Sequence, residues 1–301
     1  MRILILGGTG QVGRELVALA EPSPHELLSP PRAVLDVVDG RAVMAYFREH
    51  RPEICLNVAA YPDVAKAEQD PDGAFRANCK GAAHVADAAA ALKIPLIHVS
   101  TDYVFDGQVE RPYREEDPTR PINVYGASKL AGEQEVRNRC REHLIIRTSW
   151  VFSRWRRNFV KTIVEKACAT EDLFVVNDEF GGPTSAADLA AAMLQLVELH
   201  TAGAEIPWGV YHCANRGSTS RYELAERILS RLRDREGETQ VAKLTPVSTG
   251  SRSTPVSRPA YSVLDVGRME RLLGVRLRSW TEAVDEVVEE LLASRFGEGS
   301  P

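Results

Sequence analysis

Cysteine is sparse and scattered. Cys55, Cys79, Cys140, Cys168 and Cys213 are the only five, an odd number, and none stands in a C-x-x-C pair. That excludes a disulfide framework and a cysteine-built zinc site. It points to a reducing compartment, so a cytoplasmic protein is expected. An excess of positive charge is missing too: 37 Lys and Arg stand against 42 Asp and Glu, a net charge of −5. Such a balance does not suit a polyanion-binding surface, and nucleic acid is not an expected partner. No apolar run approaches the roughly 18–20 residues of a membrane helix, so no membrane partner is expected either. The apolar start, Ile3 to Leu6, is too short for a signal peptide and runs straight into glycines. No repeat or low-complexity linker interrupts the 301 residues, a length suited to two ordinary domains or one large α/β unit with an appendage.

What is present is alternation. Residues 2–6 form a continuous apolar run; Gly7, Gly8 and Gly10 follow; then Val12, Leu16, Val17 and Leu19 recur at helical spacing. Strand, glycine turn and helix are therefore expected in that order. Further strands are expected over 33–38, 53–60, 95–100 and 143–148, with helices over 41–50, 75–92 and 123–140. Strands alternating with helices imply parallel pairing and right-handed crossovers. The expected fold is α/β, a doubly wound, Rossmann-like parallel sheet over 1–150. Beyond Trp150 the regularity weakens. Helices are expected over 158–167, 186–200, 221–233 and 280–293, with a short strand over 173–176. Residues 245–262 are rich in Ser, Thr and Pro and read as an extended loop. Residues 151–301 are expected to form a smaller, interwoven substrate-binding lobe, with helix 186–200 returning to the first domain.

Gly7, Gly10 and Gly13 frame a G-x-x-G-x-x-G turn, and Gln11 and Val12 open the helix behind it. A helix start presents free N–H groups and a positive dipole end to a pyrophosphate, so a nicotinamide dinucleotide is expected here. An NAD-preferring site places a carboxylate at the end of the second strand. None occurs between Glu26 and Asp36, whereas Arg32 can meet a 2′-phosphate, so NADPH is favoured over NADH. A solvated loop position for Arg32 is an equal alternative. Asp36, with Val37 beside it, is placed to accept a hydrogen bond from the adenine amine.

Tyr125 and Lys129 form Y-x-x-x-K, one face of a helix. An ammonium near a phenol favours the phenolate and lowers its pKa, which suits proton exchange with a carbonyl oxygen. Thr101 ends the strand over 95–100, where ligands of open α/β sheets bind, and its hydroxyl can align a carbonyl. Taken singly, these residues read as an exposed helix pair and a backbone-capping threonine. Their order after a glycine turn favours the catalytic reading.

Together these features resemble the extended short-chain dehydrogenase/reductase superfamily. STDYVFDG (100–107), VYGASKLAGE (124–133), RTSWVFS (147–153), NDEFGGPTSAADLA (177–190), GVYHCAN (209–215) and RPAYSVLD (258–265) are similar to the dTDP-4-dehydrorhamnose reductase family, over nearly the whole chain. The resemblance implies NADPH-dependent reduction of the 4-keto group of dTDP-4-dehydro-β-L-rhamnose to dTDP-β-L-rhamnose. It makes Tyr125 the proton donor, Lys129 the ribose-holding residue and Thr101 the group that orients the carbonyl. It sets Ala59 and Ala60, followed by Tyr61, along the cofactor. Asp102, Tyr103 and Phe105 would line the sugar pocket, Trp150 would cover the sugar, and Asn158, Arg258 and Ser262 would hold the nucleotide diphosphate. A homodimer is compatible with the family.

Departures qualify the resemblance. The family pattern T-x-V-D-x-A-E is replaced by Pro62-Asp63-Val64-Ala65-Lys66-Ala67-Glu68, which puts that loop's hydrogen bonds in doubt. Some relatives bind magnesium at a dimer interface through three glutamates; Glu15 and Glu290 match two, and the third falls at Ala187 beside Asp188. Solvated acids are the expected reading, with no metal site. The basic stretch 154–158 either steers an anion or is an exposed loop. Three rivals remain. A 4,6-dehydratase lacks its glutamate, since Tyr103 follows Asp102. An epimerase would keep its NAD tightly bound. A non-catalytic NADP-binding subunit like the β subunit of methionine adenosyltransferase is disfavoured by intact Thr101, Tyr125 and Lys129.

Overall fold

The computed structural model describes residues 1–169, 172–234, 243–251 and 256–297. The first half alternates as β1 (Arg2–Leu6), α1 (Gln11–Ala20), β2 (Glu26–Leu28), α2 (Gly40–His50), β3 (Ile54–Asn57), α3 (Val64–Gln69) and α4 (Pro71–Phe75). A π-helical turn, Arg76–Lys80, leads into α5 (Gly81–Leu92), β4 (Leu96–Thr101), α6 (Val124–Arg139) and β5 (His143–Thr148). There follow β6 (Val151–Phe152), α7 (Phe159–Cys168), β7 (Leu173–Val176), β8 (Phe180–Gly181), β9 (Thr184–Ser185) and α8 (Ala186–Thr201). The chain continues through β10 (Gly209–His212), β11 (Thr219–Ser220), α9 (Arg221–Arg233), β12 (Leu244–Val247), α10 (Gly267–Leu273) and α11 (Trp280–Gly297).

Six parallel strands form the central sheet in the order β10-β5-β4-β3-β1-β2. Strand alternation divides β1 between two cores. Ile3 and Ile5 pack with Leu16 of α1 and Leu189, Met193 and Leu196 of α8. Leu4 and Leu6 pack with Val43 and Phe47 of α2 and Val85, Ala86 and Ala89 of α5. Both sheet faces are covered, which explains why these strands read as continuous apolar runs. A separate core joins Val160, Ile163 and Val164 of α7, Leu224, Ile228 and Leu229 of α9, and Val284, Val287 and Val288 of α11. Caps set several helix starts: Asp39 for α2, Asn123 for α6, Ser185 for α8, and Ser220 with Glu223 in a reciprocal capping box for α9.

Several elements depart from the sequence expectation. Residues 33–38 form turns, and the strand beside β1 is Glu26–Leu28. Val34 and Leu35 donate backbone hydrogen bonds back to Pro31, and Asp36 Oδ1 accepts from Val38 N, so local bonds replace a ladder. The helix expected over 75–92 starts earlier, at Pro71, and passes through the π turn. The strand expected over 53–60 stops at Asn57. The sheet's edge strand β10 and the short helices α3 and α10 were not anticipated. The loop expected over 245–262 begins as β12, paired with β7, and its residues 252–255 lie outside the described residues.

Candidate active site

Sheet order reverses between β1 and β3, since β2 lies to one side of β1 and β3 and β4 to the other. Ligands of open α/β sheets bind at such a switch point, beyond the carboxyl ends of the strands. The glycine turn sits there. Gly7 has φ +88, and a Cβ on it would lie 2.6 Å from Ala59 N. A side chain would therefore be strained and would fill the gap between the two diverging strands. A Cβ on Gly13 would lie 2.2 Å from Gly7 O, so α1 starts flush against the turn. Gly10 caps α1 without any side-chain hydrogen bond, and no acid stands in the first turn. These features form a cradle of bare backbone with the positive end of α1 beneath it, which fits a dinucleotide pyrophosphate. Gln11 and Val12 lie in that first turn; the side-chain Oε1 of Gln11 is held by Ser153 Oγ at 2.9 Å and Asn158 Nδ2 at 3.0 Å. Arg32 is largely exposed, with Nε 3.0 Å from Asp36 Oδ2. Val37 packs towards Gly81, and its carbonyl meets His84 Nδ1 at 3.0 Å. Tyr61 N donates to Asn78 Oδ1 at 2.7 Å.

The expected catalytic residues converge at the end of β4. The Thr101 hydroxyl hydrogen-bonds the Tyr125 phenol, donates to Asp102 Oδ1 at 3.0 Å and accepts from Tyr103 N at 3.2 Å. The Tyr103 and Tyr125 rings meet edge to face at 6.0 Å. The electrostatics differ from expectation. Burial pushes the Tyr125 phenol well above its ordinary pKa, and the hydrogen bond with Thr101 offsets only part of that rise. Lys129 does not lower it here, because its Nζ donates to Val99 O at 2.6 Å. Burial pulls Lys129 down to about 8, while Glu133 one turn further along α6 acts in the opposite direction. Tyr125 thus holds its proton firmly, the form a proton donor needs.

Beneath the helix lies a buried ion pair. Arg147 donates to Glu133 through Nε at 2.9 Å and Nη2 at 2.7 Å, and Ser100 Oγ donates to the same carboxylate at 2.6 Å. Asn78, on the π turn, bonds Ser128 Oγ at 2.9 Å and both backbone groups of Tyr61. The altered 62–68 loop finds its bonds elsewhere: Asp63 caps α3, and Glu68 Oε1 accepts from Val124 N at 2.8 Å.

The wall facing this trio places several of the expected residues differently from the sequence expectation. Asp102 is buried, accepts from Ser149 Oγ at 2.9 Å, and is hydrogen-bonded by Ser262. Burial raises its pKa against those hydroxyls. Ser262 is therefore engaged with Asp102 and is 1% exposed, which does not suit an expected diphosphate ligand. Phe105 is 0% exposed and stacks on Tyr113 at 4.1 Å, so it belongs to a core cluster and not to the pocket lining. Asn158 is also spent: Oδ1 caps α7 through Lys161 N, and Nδ2 holds Gln11 and the 153–156 carbonyls. Its place is a fastening between loop and glycine turn. Trp150 adopts a left-handed backbone, φ 46, and Arg221 lays its guanidinium 3.4 Å from the indole centroid. Arg221 was missed by the sequence reading. Its Nε is buried without a hydrogen-bond partner, and its charge faces Tyr103, Glu179, Arg258 and Asp102. The available signal was a cation at the first position of a helix, where the dipole favours an acid.

Glu15 and Glu290 lie near each other, and burial with Glu15 opposite raises Glu290, while Arg154 stands 3.8 Å from it. Asp188 is taken by Arg278 at 2.9 Å and Asn215 at 2.7 Å. Among the described residues no group of three or more His, Cys, Asp or Glu is placed to hold a metal, and no helix is long and apolar enough to cross a membrane.

Comparison with known proteins bears on this site. The family described as the RmlD substrate binding domain matches residues 1–293. A dTDP-4-dehydrorhamnose reductase of Sinorhizobium fredii is 39% identical over 294 residues, 97% of this chain and 98% of its own. The solved structure of a dTDP-4-dehydrorhamnose reductase from Clostridium acetobutylicum matches with TM-score 0.90 at 34% identity, covering 97% of this chain and 100% of that one. A dTDP-4-dehydrorhamnose reductase from Bacillus anthracis, solved in complex with NADP, gives 0.87 at 35% identity over 96% of this chain and 99% of that one.

Proposed function

The chain belongs to the RmlD substrate binding domain family, that of the dTDP-4-dehydrorhamnose reductases, and from this premise we infer that it is an NADPH-dependent oxidoreductase of dTDP-rhamnose biosynthesis. Its substrate on this reading is dTDP-4-dehydro-β-L-rhamnose, reduced at the 4-keto carbon to the alcohol. When bound, NADPH supplies a hydrogen with its electron pair to that carbon. The chain's own groups do the rest. The glycine turn and the start of α1 hold the pyrophosphate, and Arg32 meets the 2′-phosphate. Thr101 orients the carbonyl oxygen. Tyr125 donates its proton to the oxygen as negative charge develops there. Lys129, released from Val99 O, holds the ribose and sets a positive charge near the phenol. Asp102 is fixed by Ser149, Thr101 and Ser262, so it presents a rigid polar edge towards the sugar. Arg221 and Arg258 face the same cleft and suit the substrate diphosphate, because guanidinium forks match phosphate oxygens.

The observation that carries this reading is the convergence of Thr101 and Tyr125 in one hydrogen-bonded cluster, with Lys129 on the next turn, beyond the end of β4. The test follows loss of reduced-nicotinamide absorbance with dTDP-, UDP- and GDP-linked 4-keto-6-deoxy sugars, using NADPH and NADH. Rapid oxidation of NADPH with the dTDP-4-keto sugar is expected. No oxidation with any of them would overturn the reading.

A further inference from the structure

The loop after β6 reaches across to the glycine turn, and it does so with arginine. Arg156 Nε donates to Thr9 O at 2.8 Å, between Gly8 and Gly10. Gln11 on the next turn is gripped by Ser153 and Asn158 of the same loop. Trp155 has Arg14 of α1 and Arg154 over its ring, with guanidinium carbons 5.1 and 4.4 Å from the centroid. Arg156 holds φ 51, a left-handed conformation that non-glycine residues rarely adopt. Arg156 is thus an exposed arginine on a left-handed backbone, with its guanidinium set on a carbonyl of the glycine turn.

Among the described residues Arg156 makes no ion pair: α1 has no acid in its first turn, and Glu290, which lies near Glu15 of α1, pairs with Arg154. Hydrogen-bonding through Nε leaves the two Nη groups of the fork for a second acceptor. We propose that Arg156 is a pyrophosphate-binding residue for the dinucleotide, a cationic arm that the loop after β6 extends over the glycine turn. This rests on the cofactor reading above and adds to it a ligand group from outside the strand–turn–helix unit. The arm completes the cradle opposite the α1 N–H groups. It also ties occupancy of the cofactor site to the loop that follows Trp150, and so to the wall of the substrate cleft.

The experiment is equilibrium binding to the substrate-free protein, followed by nicotinamide fluorescence for NADPH and NADH and by calorimetry for adenosine 2′-monophosphate. The last ligand carries the 2′-phosphate and lacks the pyrophosphate. The variants are Arg156→Gly, which removes the cation and suits the left-handed backbone, Arg156→Lys and Arg32→Ala. Loss of one charge-assisted contact predicts that Arg156→Gly weakens NADPH and NADH alike, by about tenfold, with Arg156→Lys in between. Adenosine 2′-monophosphate should bind this variant as it binds the parent, whereas Arg32→Ala should weaken NADPH and adenosine 2′-monophosphate and spare NADH. Unchanged dinucleotide affinity in Arg156→Gly would overturn the proposal. So would equal weakening of adenosine 2′-monophosphate, which would mark Arg156 as a loop fastener only. Failure of the parent protein to bind NADPH at all would instead sink the cofactor reading.

Discussion

At the scale of single residues, the site turns on where two protons sit. The Tyr125 phenol is held protonated by burial, and the same cause pulls the Lys129 ammonium down to about 8. On the proposed mechanism Tyr125→Phe removes the donor and keeps the ring, so turnover should fall at least about a hundredfold, the scale of a lost general acid, while NADPH affinity stays within a few fold. Steady-state turnover and a binding titration check both halves, and near-parental turnover would remove Tyr125 from the mechanism. Lys129 carries its charge below about 8 and loses it above. The rate constant kcat/KM, which reports on the free enzyme, should decline as pH rises through about 8. The sign for stability is opposite. Between about 8 and the ordinary lysine value the unfolded chain binds more protons, so this group's contribution to stability grows with pH. A fall of kcat/KM through about 8 is the expected signature, whereas the buried thiols of Cys140 and Cys213, raised above their ordinary value, lose stability as pH climbs further and oppose the lysine in the melting temperature. Activity flat to high pH would show that the charge on Lys129 is unused. Arg32, exposed and paired with Asp36, makes a selective prediction: Arg32→Ala should narrow the preference for NADPH over NADH, read as the ratio of the two kcat/KM values. An unchanged ratio assigns the 2′-phosphate to other groups. The grouping of Thr101, Tyr125 and Lys129 as a candidate set was legible in the sequence because it rests on residue type at short spacing and on strand order. Phe105, Asn158 and Ser262 were not, because a side chain's direction depends on partners such as Tyr113, Gln11 and Asp102 that no local pattern reveals.

At the scale of elements, α6 carries Tyr125 and Lys129, and its distance from the rest of the fold sets theirs. Gly126 and Gly132 are its two points of close approach: a Cβ would lie 2.1 Å from Tyr103 O at the first and 2.1 Å from Asn78 O on the π turn at the second. The π turn also aims the Asn78 side chain at Ser128 and Tyr61, so one irregular turn docks α6 and the 61–68 loop together. Gly132→Ala should push α6 outward, cost about 1–3 kcal/mol as overpacking does, and lower turnover together with melting temperature. A variant that melts and turns over like the parent would show slack between helix and turn. The same reasoning explains which elements could be read in advance. β1, β4, β5 and α9 announce themselves because burial on both faces, or an amphipathic stripe, leaves an unbroken pattern. Residues 33–38 misled because an apolar run is no strand when Pro31 and Asp36 supply local acceptors. The edge strand β10 was hidden because four residues, Gly209–His212, carry too little pattern to stand out. Its place beside β5 is set by the long return through α8.

At the scale of the whole molecule, the division near residue 150 is one of sequence more than of packing. β10 of the central sheet and α8 on its face both come from beyond Trp150, so residues 1–150 alone would leave Ile3, Ile5 and Leu16 facing water. The loop over 153–158 grips Gln11 and Thr9 in return. The core of α7, α9 and α11 is separate, yet its elements are threaded between those of the sheet. We propose, on that ground, that the chain unfolds as a single cooperative unit despite its length. Calorimetry should give one endotherm with equal calorimetric and van't Hoff enthalpies. A ligand bound across the glycine turn should then stabilise the entire unit, because it binds only the native form. NADPH at a hundred times its dissociation constant adds about 2.7 kcal/mol. The single endotherm should move upward as a whole. Two resolved transitions, with NADPH shifting only one, would show that the sheet and the α7–α9–α11 core hold themselves together independently and that the loop contacts at Gln11 and Thr9 carry little coupling.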